Sequence, residues 1–175
     1  MPARLATVLA AFALVTALLA LVVALRTSPA PEAEEAEGDA ETAEELAHLM
    51  AYIQRYTEKL YLAGENGNAA LAQFYVHELE ETFEEVEAGG YVEDGNALDA
   101  LVASLVPPAL ERVEEAVEAQ ALGAAGPAAA DFGEAYARLV AACNSCHETT
   151  GHGFVRIVAP AAGSFPSQDF RPAGD

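Results

Sequence analysis

Residues 131–147 read DFGEAYARLVAACNSCH, and two patterns overlap in them. At 100° per residue, Phe132, Tyr136, Leu139, Val140, Cys143 and His147 fall on one face of a helix. Pro127 or Asp131 can open that helix, with Asp131 and Glu134 at capping-box spacing, and Gly151 and Gly153 can end it. The last five residues, Cys143 to His147, read C-x-x-C-H, the attachment signature of a c-type haem. Two thiols a helical turn apart can each add to one vinyl group of a porphyrin and form two thioether bonds. The histidine that follows is then held beneath the ring with a nitrogen on the iron, as proximal ligand. The chain has two cysteines, and both are in this pentapeptide.

Two other readings use the same residues. A dithiol redox site wants a βαβ pattern around the pair, and the sequence has none. A closed zinc site wants four ligands at paired spacing, and no second Cys pair or H-x3-H pair exists. A disulfide across so short a loop would constrain the unfolded chain little.

The helical pattern extends outward from this stretch. The chain is 53% apolar and 7% aromatic with no Trp, so its helices present faces built mostly of Ala, Leu and Val. Thr42 and Glu45 suit a capping box, and Leu46, Leu49, Met50, Ile53, Thr57 and Leu60 share a face as far as Ala63 and Gly64. His48 falls on the opposite face. Asn68 caps a second helix, Ala69 to Ala88, whose inner stripe is Leu71, Tyr75, Leu79, Thr82, Phe83 and Val86; His77 and most of its glutamates face water. Tyr91 to Gly95 reads as a turn. A short apolar helix from Asn96 to Val106 is interrupted by Pro107-Pro108, and a third long helix runs from about Pro108 to Leu122. Phe154 to Asp175 is expected as an extended tail packed over the C-x-x-C-H end, with nothing for its Val/Ile run to pair with. The Tyr cluster (Tyr52, Tyr56, Tyr61, Tyr75) reads as interhelical packing.

The first part of the chain differs in kind. Ala6 to Leu25 carries no charge, and Arg26 ends the run. It is either a secretory signal or a membrane-spanning helix, and it exceeds the roughly 7–15 residues of a usual signal core, which favours a retained anchor. Residues 28–41 are rich in Pro, Ala and Glu with no Leu, Ile, Val or aromatic, the composition of an acidic, disordered spacer. The expected organisation is therefore 1–27 signal or anchor, 28–41 linker, 42–153 helical domain and 154–175 tail. The fold class is all-α, an antiparallel up-down-up-down four-helix bundle, because short loops make consecutive helices antiparallel neighbours. That topology puts Met50, Pro107-Pro108 and the C-x-x-C-H at one end. Net charge is −20, from 28 acidic against 8 basic residues, which argues against nucleic acid and for redox partner proteins with basic docking faces.

A helical bundle with C-x-x-C-H near the end of its last helix resembles the cytochrome c′ and c-556 group. Ile53-Gln54-Arg55, Lys59-Leu60, Ala63-Gly64, Asn68, Pro107-Pro108-Ala109-Leu110, Cys143 to Phe154 and Gln168-Asp169-Phe170 are also similar to a set of exported monohaem cytochromes. The resemblance spans roughly residues 43–172. It implies one covalent haem c on Cys143 and Cys146, His147 as proximal ligand, and a side chain of the first helix over the other face of the iron. Met50 is the candidate for that place; the alternatives are a Met that only fills a gap, or Leu49 or Ile53 as an apolar guard of a five-coordinate iron. His152 and Arg156 are candidate propionate or pocket contacts. The expected role is electron transfer on the periplasmic side of a bacterial inner membrane, anchored there or soluble after cleavage. The alternative is a five-coordinate haem that binds or senses NO or CO. No inward His/Arg pair suggests peroxidase chemistry, so the expectation is a non-enzyme. By analogy alone, relatives suggest a homodimer.

Overall fold

The computed structural model describes residues 31–123 and 131–174. The apolar run 6–25 and Pro127, the alternative start of the last helix, lie outside them. The chain divides into two units, Met1–Glu41 and Thr42–Asp175, and the packed core and the cavity belong to the second. Its elements in order are α1 (Pro31–Glu65), α2 (Ala69–Ala88), β1 (Val92–Glu93), β2 (Asn96–Ala97), α3 (Leu98–Leu105), α4 (Pro107–Ala121) and α5 (Phe132–Thr149). The described residues are all-α apart from one two-residue ladder.

The helix ends follow from their side chains. Asn68 Oδ1 accepts from the Leu71 N–H at 3.2 Å, and Asp131 Oδ1 accepts from the Glu134 N–H at 3.2 Å, so both expected caps start their helices. α4 opens on Pro107-Pro108, where missing N–H groups cost nothing. Two boundaries differ from the sequence reading. Helix α1 begins at Pro31 rather than Thr42, because Pro suits a first turn and the Ala and Glu that follow are strong helix formers. The turn at Tyr91–Gly95 is the tip of a hairpin. β1 and β2 pair antiparallel, Val92 with Ala97 and Glu93 with Asn96, so the short helix starts at Leu98 rather than Asn96. Asp94 and Gly95 carry φ of +49° and +76°, the left-handed pair that a two-residue hairpin loop requires.

The core joins the apolar faces of all the helices. Leu60, Val76, Leu79, Val86, Val113, Val117 and Leu139 are fully buried. Each such side chain contributes about 1.5–3 kcal/mol by leaving water. Thr57 is buried among them, and its hydroxyl donates to the Ile53 carbonyl at 2.7 Å, so its own polar group is satisfied. α4 packs on α2 and α5, and α3 touches α2, α4 and α5. The expected Tyr packing is present: Tyr56 stacks on Tyr75 at 6.2 Å, and Tyr61 meets Tyr136 at 4.7 Å, joining α1 to α2 and to α5.

The tail makes neither helix nor strand from 154 to 174. It passes the C-x-x-C-H end as expected, but it does not stay there. Gln168 Nε2 donates to the Tyr75 hydroxyl at 2.7 Å, and Asn68 Nδ2 donates to the Arg171 carbonyl at 3.0 Å. Lys59 Nζ lies 5.5 Å from the Tyr75 ring and 5.3 Å from the Phe165 ring, and Phe170 is buried. The tail thus reaches from the end of α5 to the start of α2, led by apolar and aromatic residues that the period-2 reading did not count.

Where α1 ends, an aromatic ring packs directly on its backbone. A Cβ on Gly64 would lie 2.1 Å from Cζ of the buried Phe132 ring, at the start of α5. The Gly64→Ala variant is expected to lower stability by about 1–3 kcal/mol through overpacking. A fall in the denaturant midpoint at unchanged slope measures it, and Phe132→Leu in the same background should recover part of the loss.

Candidate functional site

The final turns of α5 carry both cysteines and His147, and these side chains open into one cavity of about 490 Å³. That volume falls in the range of cofactor and small-molecule sites, about 300–1,000 Å³. α1 supplies Leu46, Met50, Ile53 and Thr57 to the wall, α2 supplies Phe83, α3 supplies Leu98 and Val102, and Val106 lies between α3 and α4. Leu46, Ile53, Thr57, Phe83, Leu98, Val102 and Val106 are all buried, so the inner surface is apolar. Polar side chains on the lining are few: Gln54, Glu93, His147, Thr150 and His152 beside Thr57. Thr150 donates to the Cys146 carbonyl at 3.0 Å and so spends its hydroxyl within the helix.

The histidines show which nitrogen is available. His147 Nδ1 lies 2.9 Å from the Val155 carbonyl oxygen. A carbonyl can only accept, so Nδ1 carries the hydrogen and Nε2 of the neutral ring keeps its lone pair. Such a bond to a backbone carbonyl is the usual outer support of a metal-binding imidazole. His152 is tied in the same way, with Nδ1 2.9 Å from the Thr150 carbonyl oxygen, and it also lines the cavity.

The cysteines are unpaired with each other. Burial pushes the Cys143 thiol up from 9.0 to about 11, with Cys146 beside it adding to the shift and its own backbone hydrogen bond opposing it. Burial also raises Cys146. Dithiol exchange works through a thiolate of depressed pKa, so these thiols have the wrong sign of shift for a redox pair. Among the described residues no group of three or more His, Cys, Asp or Glu is arranged to hold a metal ion. The cavity therefore offers a metal isolated ligands rather than a cage.

The structure brings Met50, Cys143, Cys146, His147 and His152 to one cavity, and Ile53 with them. Leu49 is buried elsewhere in the core, and Arg156 is exposed and off the lining. His48 is exposed, and His77 is exposed beside Glu80 and Glu81. Sequence reasoning missed Glu93 and Asn144. The signal for Glu93 was the Asp94-Gly95 dipeptide, which makes a hairpin and swings residue 93 onto the cavity. A larger open depression of about 1070 Å³ between the start of α2 and the tail, lined in part by Asn68, Phe74, Asp169 and Arg171, holds neither cysteine nor histidine.

No helix among the described residues is long and apolar enough to cross a membrane. No protein-family model matches the chain, and the searches of curated proteins and of solved structures return no match.

The raised thiols make stability depend on pH while they remain free. The unfolded Cys143 thiol ionises near 9.0 and the folded one near 11. Stability is complete below pH 9 and falls as pH rises towards 11. Urea midpoints across that interval are expected to decline in the free-thiol chain and to decline less in Cys143→Ala.

Proposed function

We propose that this chain is an exported monohaem c-type cytochrome that carries electrons, with haem c bound covalently through Cys143 and Cys146 and its iron ligated by His147. One observation carries the reading: His147 commits Nδ1 to the Val155 carbonyl, which leaves Nε2 free on the wall that both thiols share. A porphyrin brings four donors of its own and asks the protein only for axial ligands, two thiols and an apolar enclosure. The lining has these parts. Cys143 and Cys146 hold the group in place, His147 supplies the nitrogen, and Leu46, Ile53, Phe83 and Val102 keep water from its faces. When bound, the haem supplies one-electron chemistry by cycling between ferric and ferrous iron. Among the polar residues of the lining His152 fits a propionate contact, and the exposed Arg156 lies off the lining.

The helices are read as an up-down-up-down four-helix bundle of the cytochrome c′ and c-556 kind. The end of α1 meets the start of α5 at Gly64 and Phe132, while Leu46, near the other end of the domain's part of α1, shares a wall with Thr150 just past α5. This pairing of ends supports antiparallel neighbours. Residues 1–27 act as signal or anchor, which sets the domain on the periplasmic side of a bacterial inner membrane, where thioether attachment takes place. Partners are redox proteins with basic docking faces, matched to a net charge of −20. Homodimerisation is carried by the resemblance alone.

Met50 is the distal ligand in this reading: its thioether lies on the α1 wall and His147 lies on the α5 wall of the same cavity. A second reading follows from Ile53, which is buried beside it. If Met50 only fills space, the iron is five-coordinate and the apolar recess takes NO or CO.

Expression with a haem-attachment system is expected to add one haem mass covalently, and the Cys143→Ala, Cys146→Ala double variant to lose it. The ferric protein should be low-spin with a methionine-to-iron band that Met50→Ala abolishes. A high-spin spectrum that Met50→Ala leaves unchanged would move the assignment to the gas-binding reading.

A further inference from the structure

Asn144 is one of the two spacer residues in C-x-x-C-H, where attachment chemistry asks nothing of the side chain. Its carboxamide is nevertheless engaged at both its oxygen and its nitrogen. Oδ1 accepts from the Ile157 N–H at 2.8 Å, and Nδ2 donates to the Ile157 carbonyl at 3.0 Å. The pair of bonds fixes which way the amide faces, since a flipped group would set donor against donor. It imitates the double bond exchange that one strand residue makes with another. The tail residues that had no strand to pair with are therefore paired with a side chain.

Position gives this pairing its use. Asn144 and His147 are three apart on α5 and so stand on adjoining parts of one helix face. Ile157 and Val155 are two apart on the tail. While Asn144 holds Ile157, His147 Nδ1 reaches the Val155 carbonyl at 2.9 Å. The strap's other end is held by turns: the His152 N–H donates to the His147 carbonyl at 2.7 Å, and the Val155 N–H donates to the His152 carbonyl at 2.8 Å. Burial does little to keep it down, because Phe154 is 81% exposed, Val155 40% and Val158 63%. Besides the His147 ring itself, Asn144 is the side chain that fastens it to the helix, with two hydrogen bonds.

From this geometry we infer that Asn144 is a positioning residue for His147: it anchors the strap whose Val155 carbonyl holds the imidazole with Nε2 free. The inference rests on the haem reading above. Asn144 does not touch the iron; it acts through Ile157, Val155 and the Nδ1 hydrogen bond. Without it the carbonyl loses its fixed place, and the ring loses the acceptor that sets its tautomer and orientation.

The test uses the full chain with haem attached. In Asn144→Leu, amide exchange at Ile157 is expected to speed up at least tenfold while the Leu139 amide in the core is unchanged. Covalent haem should be retained. The midpoint potential of the haem should shift upward, because a His147 without its acceptor donates less to ferric iron. In the Met50→Ala background, where the reduced iron is expected to be five-coordinate, the iron–histidine stretching band should shift to lower frequency. Ile157→Pro, which removes the N–H from the other side of the pair, is expected to reproduce the last two effects. Unchanged exchange at Ile157 in Asn144→Leu, or an unchanged potential and stretching band in both variants, overturns the inference. If the wild-type chain carries no haem, the proposed function fails, and exchange at Ile157 still decides whether Asn144 anchors the strap.

Discussion

The hydrogen bond from His147 Nδ1 to the Val155 carbonyl joins two segments with unrelated sequence logic. One is an amphipathic helix whose apolar face builds the core. The other is an irregular tail with no periodicity to direct it. The helix alone would set the imidazole at the cavity but leave its tautomer and tilt open. The tail alone has too little buried surface to order itself. Together they leave one nitrogen on the His147 ring with a lone pair, on the same wall as two protonated thiols. The apolar lining matters because few polar side chains share it, and two of them, Thr57 and Thr150, satisfy their hydroxyls within their own helical segments.

The fold was largely legible because helices announce themselves through caps and a 3.6-residue period. Asn68 and Asp131 cap where they should, and the stripes of Tyr75, Leu79, Phe83 and Val86 and of Phe132, Tyr136 and Leu139 are buried. The bounds of α2, Ala69–Ala88, agree with the reading to the residue. The start of α1 was misplaced for a physical reason. A chain segment with no large apolar side chains looks like spacer by hydrophobicity, yet Ala and Glu favour helix through backbone and rotamer entropy alone. The hairpin was overlooked because two-residue strands have no period to detect; only Asp94-Gly95 marks it.

The site was legible in part. C-x-x-C-H named three residues, and the helix-face argument brought Met50 and Ile53 to them. Proximity in sequence misled for Arg156, which is exposed while its neighbours Val155 and Ile157 line the cavity, as alternation along an extended segment dictates. Asn144 was invisible. A hydrogen bond between an amide side chain and a backbone thirteen residues away leaves no compositional mark.

Val155 and Ile157 come late in the chain, yet they wall the cavity beside His147. They are held to α5 by hydrogen bonds to Asn144 and His147, and Val155 is 40% exposed. The wall of the cavity on that side is therefore fastened by polar bonds, where the helical walls are fastened by packing.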